Sequence, residues 1–347
     1  HLSIRRQRQM CIRDSPRGIG KEAYLKASSG SRQRPRDKLG NLFTRAECPM
    51  FNPLQRWRER GWQPISADLY AQAWARFGGS VMTHPDVVSR LSALAGVSVR
   101  YLGWPHQGEL QAAIPLWGNA LALSRDVLKR MGQRDLFDLG NAEVILPITP
   151  GAKVPVRQRV RYVSALNEGA ISTLRRQADE LALARQPEEY GKKFRYNQRR
   201  ELRMLEEAGG EILPVSSLSG QALAAIYTEL FEKRWGFDVP GKQHLVEVFE
   251  ALSEFLWGVY LQLDGKPIAV QVLYRVESPD WISIEYINGG VDPASRDFSP
   301  GSVLSFINTQ SAWEDARARG KPLRYSFGRA DVEYKDRWCN RQPVFRV

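Results

Sequence analysis

The order of elements after residue 211 constrains this chain most. Two helices are expected at 219–235 and 241–255, followed by three strands at Trp257–Leu263, Pro267–Arg275 and Trp281–Asn288. The first two strands are joined by Asp264-Gly265, a two-residue hairpin signal. A helix from Ser302 to about Arg319 and a strand at Leu323–Phe327 complete the unit. Helix, helix, three antiparallel strands, helix and strand together predict an α/β (α+β) layer with a mixed, mainly antiparallel sheet flanked by helices.

The strand at Leu323–Phe327 runs into Ser326-Phe327-Gly328-Arg329-Ala330-Asp331-Val332-Glu333-Tyr334-Lys335-Asp336-Arg337-Trp338. A loop beyond the carboxyl end of a strand is where open α/β sheets hold ligands. Burying so many charges merely to fill space is costly. The block therefore reads as the rim of a site or as a solvated loop anchored by Trp338. In the first case Tyr334 can protonate a leaving thiolate or alkoxide, and Lys335 and Arg337 can hold a phosphate or carboxylate.

Two neighbours converge on this block. Alternation along Trp281–Asn288 puts Trp281, Ser283, Glu285 and Ile287 on one strand face. A carboxylate in so apolar a strand has a raised pKa unless paired, which suits a general base near neutrality. Pairing of Glu285 with Arg275 or another strand neighbour is the structural alternative. Ser299-Pro300-Gly301-Ser302 opens a helix, where free N–H groups and the dipole favour an anion such as pyrophosphate. An ordinary helix start explains the same residues.

The earlier part predicts a helix over 53–76 closed by Gly78-Gly79 and a short helix at Ser89–Ala95. Strands follow at Val97–Gly103 and Leu110–Leu116, then a helix at Arg125–Met131 and a strand at Val144–Ile148. Residues 170–208 read as mostly helical, with Leu174, Leu181 and Leu183 on an apolar face and a break at Gln186-Pro187. The second of these helices carries Lys192, Lys193, Arg195, Arg199, Arg200 and Arg203. These could face phosphates or form a solvated face.

Charge argues against a nucleic-acid protein. The formal charge is +12, but residues 1–49 hold 12 Lys and Arg against 4 Asp and Glu, so +8 falls there and +4 on the rest. That segment lacks both periodicity and the apolar core of a signal peptide, and it reads as disordered. Its Met10-Cys11-Ile12-Arg13-Asp14-Ser15 resembles translated adapter read-through, and the natural start is expected at Met50. No run of 18 apolar residues predicts a transmembrane helix. With Cys11 and Cys48 set aside, Cys339 is the remaining thiol and needs no oxidising compartment. No metal-ligand spacing, phosphate loop or Gly-x-Ser-x-Gly pattern is present.

The element order is similar to the Gcn5-related N-acetyltransferase fold. The segments Phe298–Leu304 and Phe327–Trp338 resemble its FemAB-like branch, which often carries two such domains. Phe194–Leu202, Arg234-Trp235-Gly236-Phe237, Glu285–Pro293 and the Phe327–Trp338 block resemble, more narrowly, the macrophage-inducible Mig-fourteen family of Gram-negative bacteria. The resemblance implies two tandem acetyltransferase-like domains: a degenerate half at 50–170, a helical connector at 171–210 and a site-bearing half at 211–347. It implies resistance to cationic antimicrobial peptides such as polymyxin and a place at the cytoplasmic face of the inner membrane, as a peripheral protein, or in the cytoplasm.

The expected reaction is acyl or aminoacyl transfer to an envelope lipid or glycan, or to the peptide itself. Acyl-CoA or aminoacyl-tRNA would be the donor, with no metal. Glu285, Tyr334 and Lys335 are the candidate catalytic residues. Ser299, Gly301, Ser302 and Arg329 are candidates for the donor, and Arg195, Arg199 and Trp338 for the substrate. The reduction of the usual Gly-rich loop to Ser-Pro-Gly-Ser leaves donors other than acetyl-CoA open. A non-catalytic, membrane-associated scaffold or peptide-binding protein is the alternative. A transcriptional regulator is a third reading, although no helix-turn-helix is evident.

Overall fold

The computed structural model describes residues 53–347. The expected start at Met50, and Cys11 and Cys48, lie outside the described residues. The chain divides into units at residues 1–57 and 58–347. Among the described residues every strand lies in the second unit. In chain order the elements are α1 (Pro53–Arg58), β1 (Gln63–Ile65), α2 (Ala67–Phe77), α3 (Pro85–Leu94), β2 (Arg100–His106), β3 (Glu109–Trp117), β4 (Ala120–Leu121) and α4 (Arg125–Arg130). There follow β5 (Val163–Ser164), β6 (Arg175–Ala184), α5 (Lys192–Glu207), β7 (Glu211–Pro214), α6 (Gly220–Trp235), α7 (Leu245–Ala251), β8 (Val259–Leu263) and β9 (Lys266–Glu277). Last come β10 (Ile282–Val291), α8 (Pro300–Ala318), β11 (Leu323–Arg329), α9 (Glu333–Trp338) and β12 (Cys339–Arg346).

A small antiparallel sheet has the order β1-β2-β3-β4, and a large sheet has the order β5-β12-β6-β11-β10-β9-β8-β7. Among the described strands of the large sheet, β10 and β11 are the one parallel pair. The Asp264-Gly265 hairpin between β8 and β9 has φ of 50° and 71° at its two residues, the positive pair that a type I′ turn requires. Helix α6 begins where the Ser219 hydroxyl accepts the Ala222 N–H at 3.1 Å, and it ends on left-handed Gly236.

The large sheet has two differently covered faces. Ile282, Ile284, Tyr325 and Phe327 pack with Phe306, Ala312 and Ala316, so α8 covers their face. Val272, Tyr274 and Val276 pack with Leu230, Phe231 and Phe249 of α6 and α7, in a core continuous with the amino-terminal half. Trp281 Nε1 donates to the Gly79 carbonyl at 2.8 Å, and Arg90 donates to the Ala251 carbonyl at 2.9 Å. Residues 58–174 thus form a lid over part of the second face, beside α6 and α7.

Four expectations change. The helix expected over 53–76 is interrupted: Gly61, at φ 87°, turns the chain into β1, and Ser66 caps a fresh start at α2. The expected helix over 170–184 is the strand β6, paired to β11 on one side and β12 on the other. Residues 144–148 are extended but join neighbours only by isolated bridges, Val144 to Val163 and Ile148 to Ala112. The charged exit block is not all loop, because Glu333–Trp338 forms α9.

Candidate functional site

The site is built on the parallel pair. β10 and β11 run in register from Ile282 with Leu323 to Glu285 with Ser326, and then part. β10 bulges between Tyr286 and Asn288 and stays with β9 as far as Val291. β11 swings to β6, which it meets again at Arg329. Two neighbouring strands with diverging carboxyl ends leave a fork, the position at which α/β sheets admit ligands.

Aromatic groups line the fork. The Tyr286 and Phe327 rings face one another at 5.1 Å between centroids. Burial raises the Tyr286 hydroxyl's pKa, and the charge of Arg234, with a hydrogen bond from it, opposes the rise. Burial also pushes Tyr334 far above its ordinary value, with Tyr286 adding to the rise and Arg234 opposing it. Both phenols are therefore held protonated, and each gives up its proton only to a strongly basic atom. Arg234 donates to the Gly289 carbonyl at 3.3 Å, and its guanidinium lies 4.6 Å from the Trp235 ring centroid.

Glycine brings Arg234 there. A Cβ on Gly290 would sit 2.5 Å from the Phe231 nitrogen and 2.6 Å from the Leu230 carbonyl carbon. Only hydrogen at this position lets α6 lie directly on β10. The separate segments Arg234–Phe237, Glu285–Pro293 and Tyr334–Trp338 thus meet at one place. Arg234 and Tyr286 were not among the candidate site residues. Their signal was their presence in these same segments.

Glu285 lies just inside the fork but on the covered face. It is 1% exposed, and its carboxylate accepts the Glu143 N–H at 2.9 Å. Glu143 is equally buried; it pairs with Arg324 and accepts the Ser164 hydroxyl at 2.5 Å. Arg275, the expected alternative partner of Glu285, instead binds Asp315 and Glu277. Burial drives the Glu285 pKa well above the carboxylate range, and the charge of Glu143 drives it further. A base must be ionised and reachable. Glu285 is neutralised by its surroundings and walled in by the peptide of Glu143, which disfavours the base role.

The remaining candidates separate into three groups. Lys335 donates to the Arg329 carbonyl at 2.6 Å and to Asp331 at 3.1 Å, while Arg329 pairs with Asp331 at 3.0 Å. These three brace the turn that carries Tyr334. Trp338 is 4% exposed and packs on Phe194 and Tyr190, so its ring belongs to the core. Ser299, Gly301 and Ser302 lie at the start of α8, beyond the end of β10.

The α8 start is a poor anion cradle. Ser299, at φ 50°, accepts at its carbonyl the N–H groups of both Ser302 and Val303, and Pro300 has none. The Gly301 N–H remains. Arg195 and Arg199 lie on α5 with Lys192, Tyr196 and Arg203, along one surface depression. The apolar side of α5 packs on α8 through Leu202, Leu205, Val303 and Leu304. The sheet therefore stands between these cations and Glu285. Among the described residues no cluster of His, Cys, Asp and Glu is placed to hold a metal ion, and no helix is long and apolar enough to cross a membrane.

Two sheets joined in this way, with a forked parallel pair, define a mixed α/β fold. The crystal structure of FemX superposes with a TM-score of 0.50 at 10% identity, covering 82% of this chain and 96% of that one. The Mig-14 family matches residues 84–347, and the chain belongs to that family. Weaker likenesses are to L-PGS from Bacillus licheniformis, with a TM-score of 0.44, 11% identity and coverage of 82% and 92%, and to a tandem GNAT protein from the clavulanic acid biosynthesis pathway, with a TM-score of 0.42, 11% identity and coverage of 82% and 97%. No curated protein sequence matches the chain.

Proposed function

We propose that this protein is an acyl or aminoacyl transferase that modifies an envelope component and thereby lowers its attraction for cationic antimicrobial peptides. The observation that carries the reading is the fork between β10 and β11, with neutral Tyr334 and Tyr286 held beside Arg234. An amine or hydroxyl of the acceptor attacks the donor carbonyl. The new C–N or C–O bond forms as the bond to the leaving sulfur or oxygen breaks. Tyr334 gives its proton to the leaving atom and regains one from the acceptor. Arg234 offsets the charge that develops there. Lys335 holds the turn that aims Tyr334, and Glu285 fixes the lid to the sheet.

The donor is acyl-CoA or aminoacyl-tRNA. With a single amide free at the α8 start, its phosphates need side-chain cations, which Arg195 and Arg199 on neighbouring α5 supply. The test is transfer of labelled acyl or aminoacyl groups to extracted envelope fractions. Wild type and Glu285→Gln are expected to transfer, and Tyr334→Phe to lose the activity. Equal transfer by wild type and Tyr334→Phe would refute the assignment.

The same basic stripe favours a second reading, a non-catalytic scaffold seated on the anionic cytoplasmic face of the inner membrane. Melting unmoved by either donor, but raised by peptide or anionic lipid, would support it.

A further inference from the structure

A recess in the amino-terminal half serves neither reading. Its floor is apolar, with Leu123, Leu128, Phe137 and Val160 all buried. It encloses about 80 Å³. Pockets for whole small-molecule ligands run to roughly 300–1,000 Å³, so this one admits the end of a ligand. Arg125, Arg159 and Arg161 stand at the mouth with Asp126 and Asp138.

The carboxylates there pair with two of the cations only at long range. Arg125 lies 3.9 Å from Asp138, and Arg161 lies 3.9 Å from Asp126 and 3.6 Å from Asp179, all beyond hydrogen-bond range. Asp138 is closer to Arg134, at 3.4 Å. The Arg159 side chain has no hydrogen bond or ion pair among the described residues. The mouth therefore keeps a net positive charge, with Arg125 and Arg161 in long ion pairs and Arg159 open to an anion.

The backbone supplies an independent observation. Leu123 and Tyr162, which both line the recess, sit in the left-handed region at φ 62° and 55°. That conformation costs a side-chain-bearing residue roughly 1–2 kcal/mol. The Ser124 N–H bonds to the Leu121 carbonyl, which puts Leu123 at the turn position ordinarily given to glycine. Instead, Leu123 packs its side chain into the floor. Tyr162 forms wall, and its hydroxyl donates to Asp179 at 3.3 Å. Backbone strain is borne at both positions to keep large side chains around the recess.

We infer that this recess binds the end of an anionic aliphatic ligand, with a short hydrocarbon segment on the Leu123 floor and a carboxylate or phosphate at the arginine mouth. The site goes beyond the transferase reading and stands or falls without it. Calorimetric titration of the full chain with hexanoate and hexyl phosphate distinguishes a fatty-acid source from a lipid-phosphate source. One or both are expected to bind and to raise the melting temperature, while acetate and hexylamine do neither. The double variant Arg125→Gln, Arg159→Glu should bind about tenfold more weakly, since two exposed charges are altered, with unchanged ligand-free melting. Binding of hexylamine equal to that of the anions, no binding of either anion, or undiminished affinity in the double variant would overturn the assignment.

Discussion

The Glu285 carboxylate and the Glu143 backbone N–H meet at 2.9 Å across a sequence separation of 142 residues. Through this bond the middle of the large sheet is fastened to the lid that covers it. Among the described residues Arg324 is the cation set against the two buried acids, and it pairs with Glu143. Burial, and then the charge of Glu143, favour the protonated form of Glu285.

The raised Glu285 pKa sets a pH dependence. The Glu285 pKa is raised by folding, first by burial and then by Glu143. The unfolded chain titrates near about 4.3. As pH rises above that value toward the folded pKa, the folded state holds the extra proton, and wild type loses stability. Glu285→Gln has no such loss. Its stability relative to wild type should therefore improve steadily as pH is raised, as urea denaturation at a series of pH values will show. A difference that stays flat or runs the other way contradicts the neutral-acid assignment.

Removing the cation should be severe. Arg324→Ala leaves Glu143 buried without its partner, at a cost of about 3–5 kcal/mol. Arg324→Lys should recover part of this, because a charge returns but not the paired guanidinium contacts with Glu143 and Ser164. Denaturation midpoints at neutral pH check both.

At the fork, Tyr334→Phe keeps the ring and removes the proton. Transfer should fall by roughly 10²-fold or more if Tyr334 is the acid, while stability changes by about 1 kcal/mol. Unchanged transfer together with unchanged folding would return Tyr334 to a packing role.

Gly290→Ala tests how Arg234 is delivered. The added methyl meets helix backbone, which cannot swing aside as a side chain can. Overpacking of this kind costs about 1–3 kcal/mol. It should displace α6, and transfer should fall more than stability alone explains.

The α5 stripe separates the two functional readings. Arg195→Glu with Arg199→Glu should raise the donor KM and leave kcat in place if these side chains hold donor phosphates. On the scaffold reading the same variant instead loses salt-sensitive binding to anionic vesicles, at about 1 kcal/mol for each basic residue near the surface.

The carboxyl-terminal half was legible because its signals are local. Asp264-Gly265 encodes its own turn, and Ser219 and Gly236 mark the ends of α6 in the sequence. β6 looks helical in the sequence because Leu174, Leu181 and Leu183 satisfy a loose helical spacing. The alternation of Leu181 and Leu183 points to a strand, but what decides the matter is pairing with β11 and β12 more than 130 residues later. The fork residue Glu285 was visible as an unusual carboxylate in an apolar strand. Its partner Glu143 was not, because nothing local to residue 143 announces a buried acid. Tyr286 and Arg234 acquire meaning only once the Gly289-Gly290 contact folds α6 onto β10.

The position of β6 also fixes the order in which the chain can finish folding. Both of its edges are filled by the last strands of the chain, so on a growing polypeptide β6 emerges long before its partners exist. Until residues 323–346 arrive, two rows of backbone donors and acceptors stand open, a state prone to mispairing and a load on chaperones. Sheet closure is then a late event of high sequence separation, slow by nature. A fragment beginning at residue 211 would lack the strand between β11 and β12 and would reach the end of synthesis with β12 cut off from the rest of the sheet.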